Sequence, residues 1–413
     1  MHIWIVNPYG NLPGEGWSPY RSTFLAEALA LNGHQVTWWV SNFEHRSKKI
    51  RTATPNDITI SPGFKIRIIP STTYQGNISV DRIRYERNFM SAVLCRIHSD
   101  NNRADIVILG EPALFNSDIA QHIAPAAGAK LVIDVLDLWP ELLAIAIPRL
   151  LRRWHRLFLA PLYWRRAAFL RKADGFLACS QDYLALAQKC APHCPGQVVY
   201  WGFDLEKFRA ARDNSTITQL PALPPKRPGE IWAIYAGTLG ENYDLPTVLC
   251  CAEAIQSAGH PIRILLVGDG PLRPLVEATI QEKKLRCVSY LGRIDVDMLC
   301  RLYAQCDVAL STYVANSTVS MPIKAYDYFA AGLPLVNSLR RDLGEIVRRH
   351  QLGLQYEPEN PESLLRALVT LASDPALRQT ARGNALTLAN TFDCQAQYPK
   401  AVRFIEKFGP GNH

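Results

Sequence analysis

The feature that most constrains the fold of this chain is a repeated alternation of short apolar runs with helical stretches. In the first half, the apolar runs have the length of strands, and they are IWIVNP, VTWWVS, KIRIIP, DIVILG, KLVIDVL and GFLACS. A loop that contains glycine and a helical stretch, SPYRSTFLAEALALNGH, follow the first of them. Alternation of this kind is typical of a parallel sheet that is covered by helices on both faces.

A second series begins after a polar, proline-rich segment, RAARDNSTITQLPALPPKRPGE. Its apolar runs are IWAIYAG, IRILLVG, VSYLG, VALST and PLVNS. A chain of 413 residues is long enough for two domains. We therefore predict an α/β protein with two doubly wound, Rossmann-like parallel-sheet domains that face a cleft at the carboxyl ends of their strands.

The predicted domain limits follow the two series and the segment between them. Residues 1–208 form the N-terminal domain, 209–229 the linker and 230–390 the C-terminal domain. The last stretch, 391–413, contains YPKAVRFIEKF, whose apolar positions lie on one side of a helix. We expect this helix to pack back on the N-terminal domain.

Composition favours a well-packed soluble protein, because 48% of the residues are hydrophobic and 20% are charged. We find no uncharged apolar run near the length of a membrane-spanning helix. The start, MHIWIVNPYGN, indicates a buried strand rather than a signal peptide. The ten cysteines form no framework, which favours reduced thiols in a cytoplasmic protein. The cluster CAPHC lacks a second pair of ligands, so we expect no metal there.

The stretch MPIKAYDYFAAGLPLV predicts a helix that can meet a phosphorylated nucleoside. Pro322 suits the first helical position, and the preceding amides of Ser320 and Met321 would then attract an anion. Lys324 adds a positive charge in the first turn. Asp327 follows on the same face and suits a diol such as a ribose. The alternative is a surface helix with an ordinary ion pair between Lys324 and Asp327.

Glycines follow several predicted strands, where open parallel sheets bind ligands. In the second series these turns contain Gly237 and Gly240, then Gly268, Asp269 and Gly270, then Gly292 and Arg293. In the first series the corresponding loop contains Gly14, Glu15, Gly16, Ser18, Pro19 and Arg21. None of them matches the dinucleotide fingerprint or the P-loop. We interpret the first-domain loop as a second potential anion site, with Arg21 nearby.

Taken together, these motifs resemble glycosyltransferase family 4, whose members are retaining nucleotide-sugar transferases with the GT-B fold. The resemblance covers nearly the whole chain and rests on PIKAYDYFAAGLPLV, VGDGPLRPLVE, YAGTLGENYDL, YLGRI, NGHQVTWWVS, DLWPELL and ADGFLACS. The last three, with the first-domain loop, resemble the branch that builds bacterial O-antigen and capsule units, including N-acetylfucosaminyl transferases.

The resemblance implies roles for particular residues. Asp327 would bind the donor ribose, and Lys324 with the amides of Ser320 and Met321 would face the diphosphate. The remaining donor-binding positions are Gly237 and Thr238 in the phosphate loop, Arg293 and Ile294 beside the nucleobase, and Gly14, Glu15, Gly16 and Arg21 in the first domain. No cofactor or metal is expected besides the nucleotide-sugar co-substrate, which we predict to be UDP-linked.

Three departures from the family pattern concern the donor site. Many members have two glutamates eight positions apart, whereas this chain has Val319 and Asp327. Thr238 stands where an arginine is usual, and Tyr243 where a lysine is usual. Two missing cations would weaken stabilisation of the leaving diphosphate, each by about 1–3 kcal/mol.

The mechanism that the resemblance implies needs no protein nucleophile. The leaving diphosphate oxygen would help to deprotonate the acceptor hydroxyl, while the protein supplies orientation and positive charge. Lys324 is therefore a candidate catalytic residue. Asp134 and Asp137, in IDVLDLWPE, are two further candidates that could orient the acceptor. Helix capping before Pro140 explains the two aspartates equally well.

The segment RLLRRWHRLFLAPLYWRRAAFLRK contains eight basic residues and no acidic one. Arginines and aromatic residues in this arrangement suit the interface of an anionic membrane. The residues that we assign to membrane or acceptor contact are Arg149, Arg152, Arg153, Trp154, Arg156, Trp164, Arg165 and Arg166. The alternative is a domain helix whose charges are only solvated. No recognised nucleic-acid-binding module accompanies the charge.

These observations predict a peripheral enzyme at the inner face of the cell membrane. It would transfer a hexosyl or N-acetylhexosaminyl group from a nucleotide sugar to a lipid-linked or polysaccharide-precursor acceptor, with retention of configuration. One alternative is a non-catalytic partner that scaffolds an active transferase. The other is a UDP-sugar 2-epimerase with the same fold.

Overall fold

The computed structural model describes residues 1–15, 19–45, 47–51, 57–77, 79–100, 103–111, 114–147, 154–213 and 223–410. The chain forms two compact units. Unit 1 comprises Met1–Trp201 together with Gln395–His413, and unit 2 comprises Gly202–Cys394.

Unit 1 is built from short strands with helices between most of them. Its strands are β1 (His2–Val6), β2 (Gln35–Ser41), β3 (Phe43–Glu44), β4 (Lys49–Ile50), β5 (Asp57–Ser61), β6 (Phe64–Ile69), β7 (Ile106–Glu111), β8 (Lys130–Val135), β9 (Gly175–Ala178) and β10 (Gly196–Val198). Its helices are α1 (Arg21–Leu31), α2 (Val80–Asp100), α3 (Ser117–Ala120), α4 (Ile123–Ala127), α5 (His155–Phe158), α6 (Ala160–Leu170), α7 (Gln181–Cys190) and α16 (Cys394–Glu406). A short 3₁₀ helix spans Glu141–Ala146.

The main sheet of unit 1 has the strand order β10-β9-β8-β7-β1-β2-β6-β5. Its strands are parallel except that β5 runs antiparallel to β6. The chain leaves β1 for β2 on one side and later returns to β7 on the other, so the direction of winding changes between β1 and β7. In open α/β sheets, ligands bind beyond the carboxyl ends of the strands at such a change.

Unit 2 repeats this plan with a fully parallel sheet in the order β13-β12-β11-β14-β15-β16. Its strands are β11 (Ile231–Ala236), β12 (Ile262–Val267), β13 (Val288–Gly292), β14 (Val308–Ser311), β15 (Leu335–Asn337) and β16 (Gly353–Gln355). Its helices are α8 (Leu205–Asp213), α9 (Leu245–Ala258), α10 (Arg273–Glu282), α11 (Val296–Gln305), α12 (Lys324–Ala330), α13 (Asp342–Arg349), α14 (Pro361–Ser373) and α15 (Pro375–Ala389). Here the winding changes direction between β11 and β14.

Burial explains why the predicted strands are nearly continuous apolar runs. Every residue of β11 and β12 is buried, as expected for central parallel strands that are covered on both faces. The predicted fold class, α/β with a Rossmann-like parallel sheet in each of two domains, is confirmed.

The structure divides the chain after Trp201 and after Cys394, whereas the predicted limits were at 208 and 390. The limit at residue 208 runs through α8, yet the structure places the whole helix in unit 2. The reason is packing, because α8 lies against α11 and its Phe208 ring stacks on Tyr303 at a centroid distance of 6.4 Å. Part of the predicted linker, 214–222, lies outside the described residues.

Candidate active site

The loops after β11, β12 and β13 pack backbone against backbone. The amide of Gly237 donates to the carbonyl of Val267 at 2.9 Å, and the amide of Gly268 donates to that of Gly292 at 2.8 Å. A Cβ atom at Gly268 would lie 1.8 Å from the carbonyl oxygen of Gly237, so only glycine fits. Gly237 itself has a φ of 145°, which also favours glycine. The predicted phosphate loop is therefore a tightly fixed backbone surface.

Lys324 places its ammonium group beside this surface, inside a cage of tyrosine rings. Its Nζ lies 4.0 Å from the ring centroid of Tyr235, 4.4 Å from Tyr243 and 5.0 Å from Tyr313. A Cβ atom built on Gly237 would lie 3.5 Å from the same Nζ. The cage therefore stands at the change of winding between β11 and β14, because Tyr235 belongs to β11 and Tyr313 follows β14.

Apart from the ring faces, no group in the described part of the chain pairs with the Lys324 ammonium. Its Nζ is buried without a hydrogen-bond partner there, and Asp327 exerts no resolved effect on its charge. Burial accordingly holds the pKa of Lys324 well below its usual value. The surface ion pair that was the alternative interpretation of this stretch is not observed. The geometry instead leaves a buried amine that an incoming anion can pair with.

Helix α12 begins later than the sequence indicates. Pro322 precedes the helix, which starts at Lys324 and has seven residues. The amide of Ala325 donates to the Pro322 carbonyl at 3.0 Å. The carbonyl of Ser320 accepts from the Leu343 amide at 3.0 Å, which ties the preceding loop to α13. Ser320 and Met321 are both buried. The role of their amides in anion binding stays a prediction.

Asp327 lies one turn after Lys324 on α12 and is half-buried. Burial raises the pKa of Cys300 and of Tyr303, and the nearby Asp327 carboxylate raises both further. Burial also raises the pKa of Asp327 to about 7. Asp327 can therefore change its ionisation within the physiological range.

The remaining unit 2 positions are distributed around the same strand ends. The main chain of Thr238 is held by the Tyr235 hydroxyl, which donates to the Thr238 carbonyl at 2.6 Å. Arg293 is exposed and Ile294 is half-buried, directly after β13. The structure thus brings Gly237, Thr238 and Lys324 together and leaves Arg293 and Ile294 at the neighbouring strand.

In unit 1, Arg21 and Asp134 are satisfied by each other. Arg21 Nε donates to Asp134 Oδ2 at 2.8 Å, and Nη2 donates to Oδ1 at 2.9 Å. The exposed fraction is 1% for Arg21 and 5% for Asp134. This buried two-point ion pair joins α1 to β8. It gives both residues a structural role, which differs from the donor contact predicted for Arg21 and the acceptor contact predicted for Asp134.

The first-domain glycine loop is held from one side by Arg51. Glu15 accepts from Arg51 Nε at 2.6 Å and from the Leu12 amide at 2.8 Å. Gly14 has a φ of 89°, and a Cβ atom there would meet no neighbour within 4 Å. Gly16 lies outside the described residues. Glu15 is thus engaged in fixing its own loop.

Asp137 belongs to a polar cavity in unit 1 that also includes Glu111, a residue that the sequence prediction missed. Asp137 lines this cavity and remains exposed on one side; desolvation raises the pKa of Asp137 to about 6, against the opposing charge of Arg82. Burial raises the pKa of Glu111 to about 8. A usable signal was present, because Glu111 ends the apolar run DIVILGE next to the strand that precedes Asp137.

In the basic segment, some side chains bind neighbouring loops of unit 1 and others are exposed to solvent. Arg165 pairs with Asp118, and Arg166 donates to the Trp139 carbonyl at 2.6 Å and to Glu141 at 2.7 Å. These two arginines therefore anchor α6 to neighbouring loops; Arg166 is buried, whereas Arg165 remains half-exposed. Four large apolar side chains and one arginine nearby are exposed: Trp154, Leu157, Phe158, Trp164 and Arg156. Arg149, Arg152 and Arg153 lie outside the described residues.

The described helices include none with the length and apolar character that crossing a membrane requires.

A family model described as "Glycosyl transferases group 1" matches residues 231–374. This range lies in unit 2 and contains the glycine loops, the tyrosine cage, Lys324 and Asp327. Among curated proteins, the chitobiosyldiphosphodolichol beta-mannosyltransferase of Eremothecium gossypii is 27% identical over 126 residues, which are 30% of this chain and 26% of that protein. The matches to curated relatives span between about a quarter and two fifths of the relatives' own length.

Solved structures resemble the chain over almost its whole length. Sucrose-phosphate synthase from Thermosynechococcus elongatus has a TM-score of 0.75 at 18% identity, and the match covers 98% of both chains. Anabaena HepE in complex with UDP has a TM-score of 0.67 at 13% identity, covering 98% of this chain and 100% of that one. At sequence identities this low, the matches show the fold alone. This fold is GT-B, as predicted from the sequence.

Proposed function

We propose that this chain is a glycosyltransferase that binds the diphosphate of a nucleotide-sugar donor in unit 2. The observation that carries the proposal is the buried amine of Lys324 beside the Gly237 loop, for which the described part of the chain offers no hydrogen-bond or ion-pair partner. A buried ionisable group without a partner lowers stability, and such groups are concentrated at functional sites. The family match includes every residue of this arrangement.

A diphosphate would supply the charge that Lys324 lacks. Binding it raises the pKa of the lysine again, because a neighbouring anion favours the ammonium form. The backbone of the Gly237 loop can approach a phosphate closely because no side chain intervenes. The cage of Tyr235, Tyr243 and Tyr313 excludes water, which strengthens the attraction between the ammonium and the diphosphate. Lys324 thereby supplies positive charge where Thr238 and Tyr243 carry none.

The nucleotide that we propose is a uridine diphosphate. HepE, which has a similar fold, was solved with UDP. Asp327 lies one helical turn beyond Lys324, at a spacing that suits the ribose hydroxyls when the diphosphate is at the lysine. In this arrangement the ionised carboxylate accepts hydrogen bonds from both hydroxyls.

We propose that the transfer retains the anomeric configuration. The diphosphate oxygen that leaves the sugar accepts the proton of the acceptor hydroxyl on the same face. The protein contributes orientation and stabilisation of the developing negative charge, and Lys324 supplies the latter. Removing one such stabilising group lowers the rate of comparable enzymes by about 10²–10³-fold.

The acceptor that we propose is a lipid-linked saccharide in O-antigen or capsule assembly, reached at the inner face of the membrane. The name of the Eremothecium relative refers to a dolichol-linked diphosphate. Unit 1 exposes Trp154, Phe158 and Trp164, with Trp164 75% exposed. Exposed aromatic rings beside arginines favour the interface of an anionic membrane. The sugar transferred is a hexose or an N-acetylhexosamine.

The decisive experiment replaces Lys324 by alanine and measures UDP binding by calorimetry together with sugar transfer. We expect the dissociation constant for UDP to rise about 100-fold, equivalent to about 3 kcal/mol. Lys283→Ala is the matched control, because Lys283 is an exposed lysine of the same unit that pairs with Glu253. Unchanged UDP affinity in the Lys324 variant would overturn the proposed donor site.

The same assay separates the alternative functions. Tight UDP-sugar binding without turnover against a panel of lipid-linked acceptors would favour a non-catalytic partner. A new sugar nucleotide, detected by NMR when the donor is incubated alone, would favour a 2-epimerase.

Membrane contact is tested by co-sedimentation with vesicles of phosphatidylglycerol and phosphatidylcholine. We expect Trp154→Ser combined with Trp164→Ser to reduce the bound fraction several-fold, because each buried aromatic ring contributes apolar area. Equal sedimentation of the variant and the unmodified protein would exclude this surface.

A further inference from the structure

Unit 1 contains two adjoining cavities of opposite character. The first, of about 110 Å³, lies at the carboxyl ends of β1, β7 and β8, where the winding of the sheet changes direction. The second, of about 300 Å³, lies beside the start of α2 and is walled mainly by apolar side chains. Arg82 and Glu86 line both cavities, so the two share a wall.

The first cavity, called the polar cavity below, contains buried polar groups without protein partners. Glu111 is 2% exposed, and its Oε2 atom has no hydrogen-bond partner in the described part of the chain. Asn116 is 1% exposed, and the described residues offer no partner to either its side-chain oxygen or its nitrogen. Groups buried in this way are nearly always satisfied by protein, water or a ligand. Both residues line the cavity, so a molecule inside it can satisfy them.

The charges around the polar cavity favour an uncharged ligand. Glu86, Glu111 and Asp137 contribute carboxyl groups, whereas Arg82 contributes a guanidinium. Burial raises the pKa of each of the three acids. A phosphate would meet repulsion from these groups whenever they ionise. Hydroxyl groups can donate to and accept from carboxyl and amide side chains, so a sugar suits the cavity better than a phosphate does.

The second cavity, called the apolar cavity below, suits a hydrocarbon group. Its apolar walls are formed by Val80, Ile83, Leu114, Phe115, Trp139 and Leu143. Val80 is 63% exposed, which places this side chain at the solvent boundary. Apolar surface of this kind gains from contact with an apolar group, because water is displaced.

The shared wall is rigid. Arg82 Nε donates to the Tyr9 hydroxyl at 3.0 Å and to Glu86 at 3.1 Å, and the Tyr9 hydroxyl donates to Glu86 at 2.5 Å. The Arg82 guanidinium also lies 5.2 Å from the ring centroid of Trp139. Fixed in this way, the wall keeps the two environments side by side instead of letting them merge.

We infer that unit 1 binds an amphipathic molecule, with an uncharged sugar in the polar cavity and an attached hydrocarbon group in the apolar cavity. The inference deepens the proposed function, on which it rests for the view that this molecule is the acceptor. Helix α6 is tied to the walls of the apolar cavity, since Arg165 pairs with Asp118 beside Phe115 and Arg166 binds the Trp139 carbonyl. The exposed aromatic residues of α5 and α6 therefore lie on elements that are attached to this cavity.

The test measures binding of n-octyl and methyl glycosides by calorimetry, below the micelle concentration and without nucleotide. The panel contains the glycosides of glucose, galactose, mannose, N-acetylglucosamine and fucose. It also contains 1-octanol, which has the alkyl chain but no sugar. Each buried methylene group tightens binding up to about fourfold. We expect at least one octyl glycoside to bind at least about 30-fold more tightly than its methyl glycoside and about 10-fold more tightly than 1-octanol. A panel without such a pair overturns the inference.

Single-residue variants test which cavity binds each part of the octyl glycoside. Ile83→Trp fills the apolar cavity, and we expect it to remove the advantage of the octyl chain. Arg84→Trp is the matched control, because Arg84 follows on the same helix and is exposed. An equal loss in both variants, or in neither, would overturn the assignment.

The polar end is tested at Glu111. We expect Glu111→Leu to weaken octyl glycoside binding to the level of 1-octanol, whereas Glu111→Gln stays within about threefold, because an amide retains both donor and acceptor. Retained glycoside binding in Glu111→Leu would place the sugar elsewhere. Thermal unfolding of each variant shows whether it is folded.

UDP binding measured on the same variants keeps the two proposals apart. Failure of the glycoside panel with normal UDP binding would refute this inference alone. If Lys324→Ala leaves UDP binding unchanged while glycosides bind as expected, only the proposed donor site is refuted.

Discussion

Two buried cations, Arg21 in unit 1 and Lys324 in unit 2, differ in one respect. Arg21 meets a carboxylate at two points, with distances of 2.8 and 2.9 Å to Asp134. Among the described residues, Lys324 meets the faces of three tyrosine rings and no carboxylate. Both residues follow a proline closely in the sequence, and both were predicted to bind the donor. The difference shows that the position of a buried cation after a loop does not decide whether it has an ion-pair partner, because its surroundings do.

Removing each of the two cations should change the free energy of unfolding in a different way. Breaking a buried ion pair leaves one charge uncompensated and is strongly destabilising. Removing a buried charge that has no partner relieves a cost that the folded state already carries. The two substitutions should therefore change stability in opposite directions.

The largest expected effect is that of Arg21→Met. It leaves the Asp134 carboxylate buried without its partner, and we expect the free energy of unfolding to fall by about 3–5 kcal/mol. Urea denaturation followed by circular dichroism measures it. The double variant Arg21→Met with Asp134→Leu should recover most of the loss. A loss below about 1 kcal/mol in the single variant would show that the pair is not a structural element.

Glu111, a buried acid, should make the free energy of unfolding depend on pH. The pKa of Glu111 is raised to about 8 by burial, so its folded state holds a proton that the unfolded state releases near pH 4.5. The stability that this proton confers is complete below pH 4.5 and is lost as the pH rises through 8. We expect the unfolding free energy to fall by about 2–4 kcal/mol between pH 5 and pH 8 from this group. Glu111→Gln should remove that slope, and an unchanged slope would assign it to other groups.

The third effect is a gain of stability in Lys324→Met. The pKa of Lys324 is lowered in the folded state, so the unfolded state binds more protons and the wild-type protein loses stability as the pH falls below 10.5. Replacing the amine by an apolar group of similar length should raise the unfolding free energy by about 1–3 kcal/mol at pH 7. The gain should shrink at pH 10, because the lysine of the unfolded state, with a pKa of 10.5, then begins to lose its proton as well. Destabilisation at pH 7 would indicate a compensating group near Nζ.

The smallest effect concerns Asp327, the acid one turn from the cage. Its pKa of about 7 predicts that UDP binding strengthens between pH 6 and pH 8, as the carboxylate ionises and accepts ribose hydrogen bonds. We expect a gain of about threefold, or about 0.7 kcal/mol. Calorimetry on Asp327→Asn should show no such gain. Equal pH profiles in both proteins would place the ribose away from this residue.

Local sequence patterns were sufficient for most of the fold. Strands such as β1, β11 and β12 are continuous apolar runs, and glycines at 237 and 268 mark the turns that follow. The short edge strand β16 was missed, because two half-buried residues and one exposed residue leave little apolar signal. The position of α8 was also missed, since its assignment to unit 2 depends on packing against α11.

The site was less predictable because its key contacts join distant parts of the chain. Arg21 and Asp134 are 113 positions apart, and the tyrosines around Lys324 come from three separate segments. A single sequence shows that a lysine follows a proline but gives no indication of what surrounds its amine. The sequence showed that Tyr243 stands where a lysine is usual. It did not show that the Tyr243 ring contacts Lys324.

The contact between the backbones at Gly237 and Gly268 has a consequence for how the proposed donor site could vary. Because a Cβ atom at Gly268 would lie 1.8 Å from the Gly237 carbonyl oxygen, the loop after β12 cannot accept a larger residue there unless the loop after β11 moves. If this backbone holds the proposed diphosphate, a new sugar preference would have to arise from exchanges among the surrounding side chains, while Gly268 stays as it is.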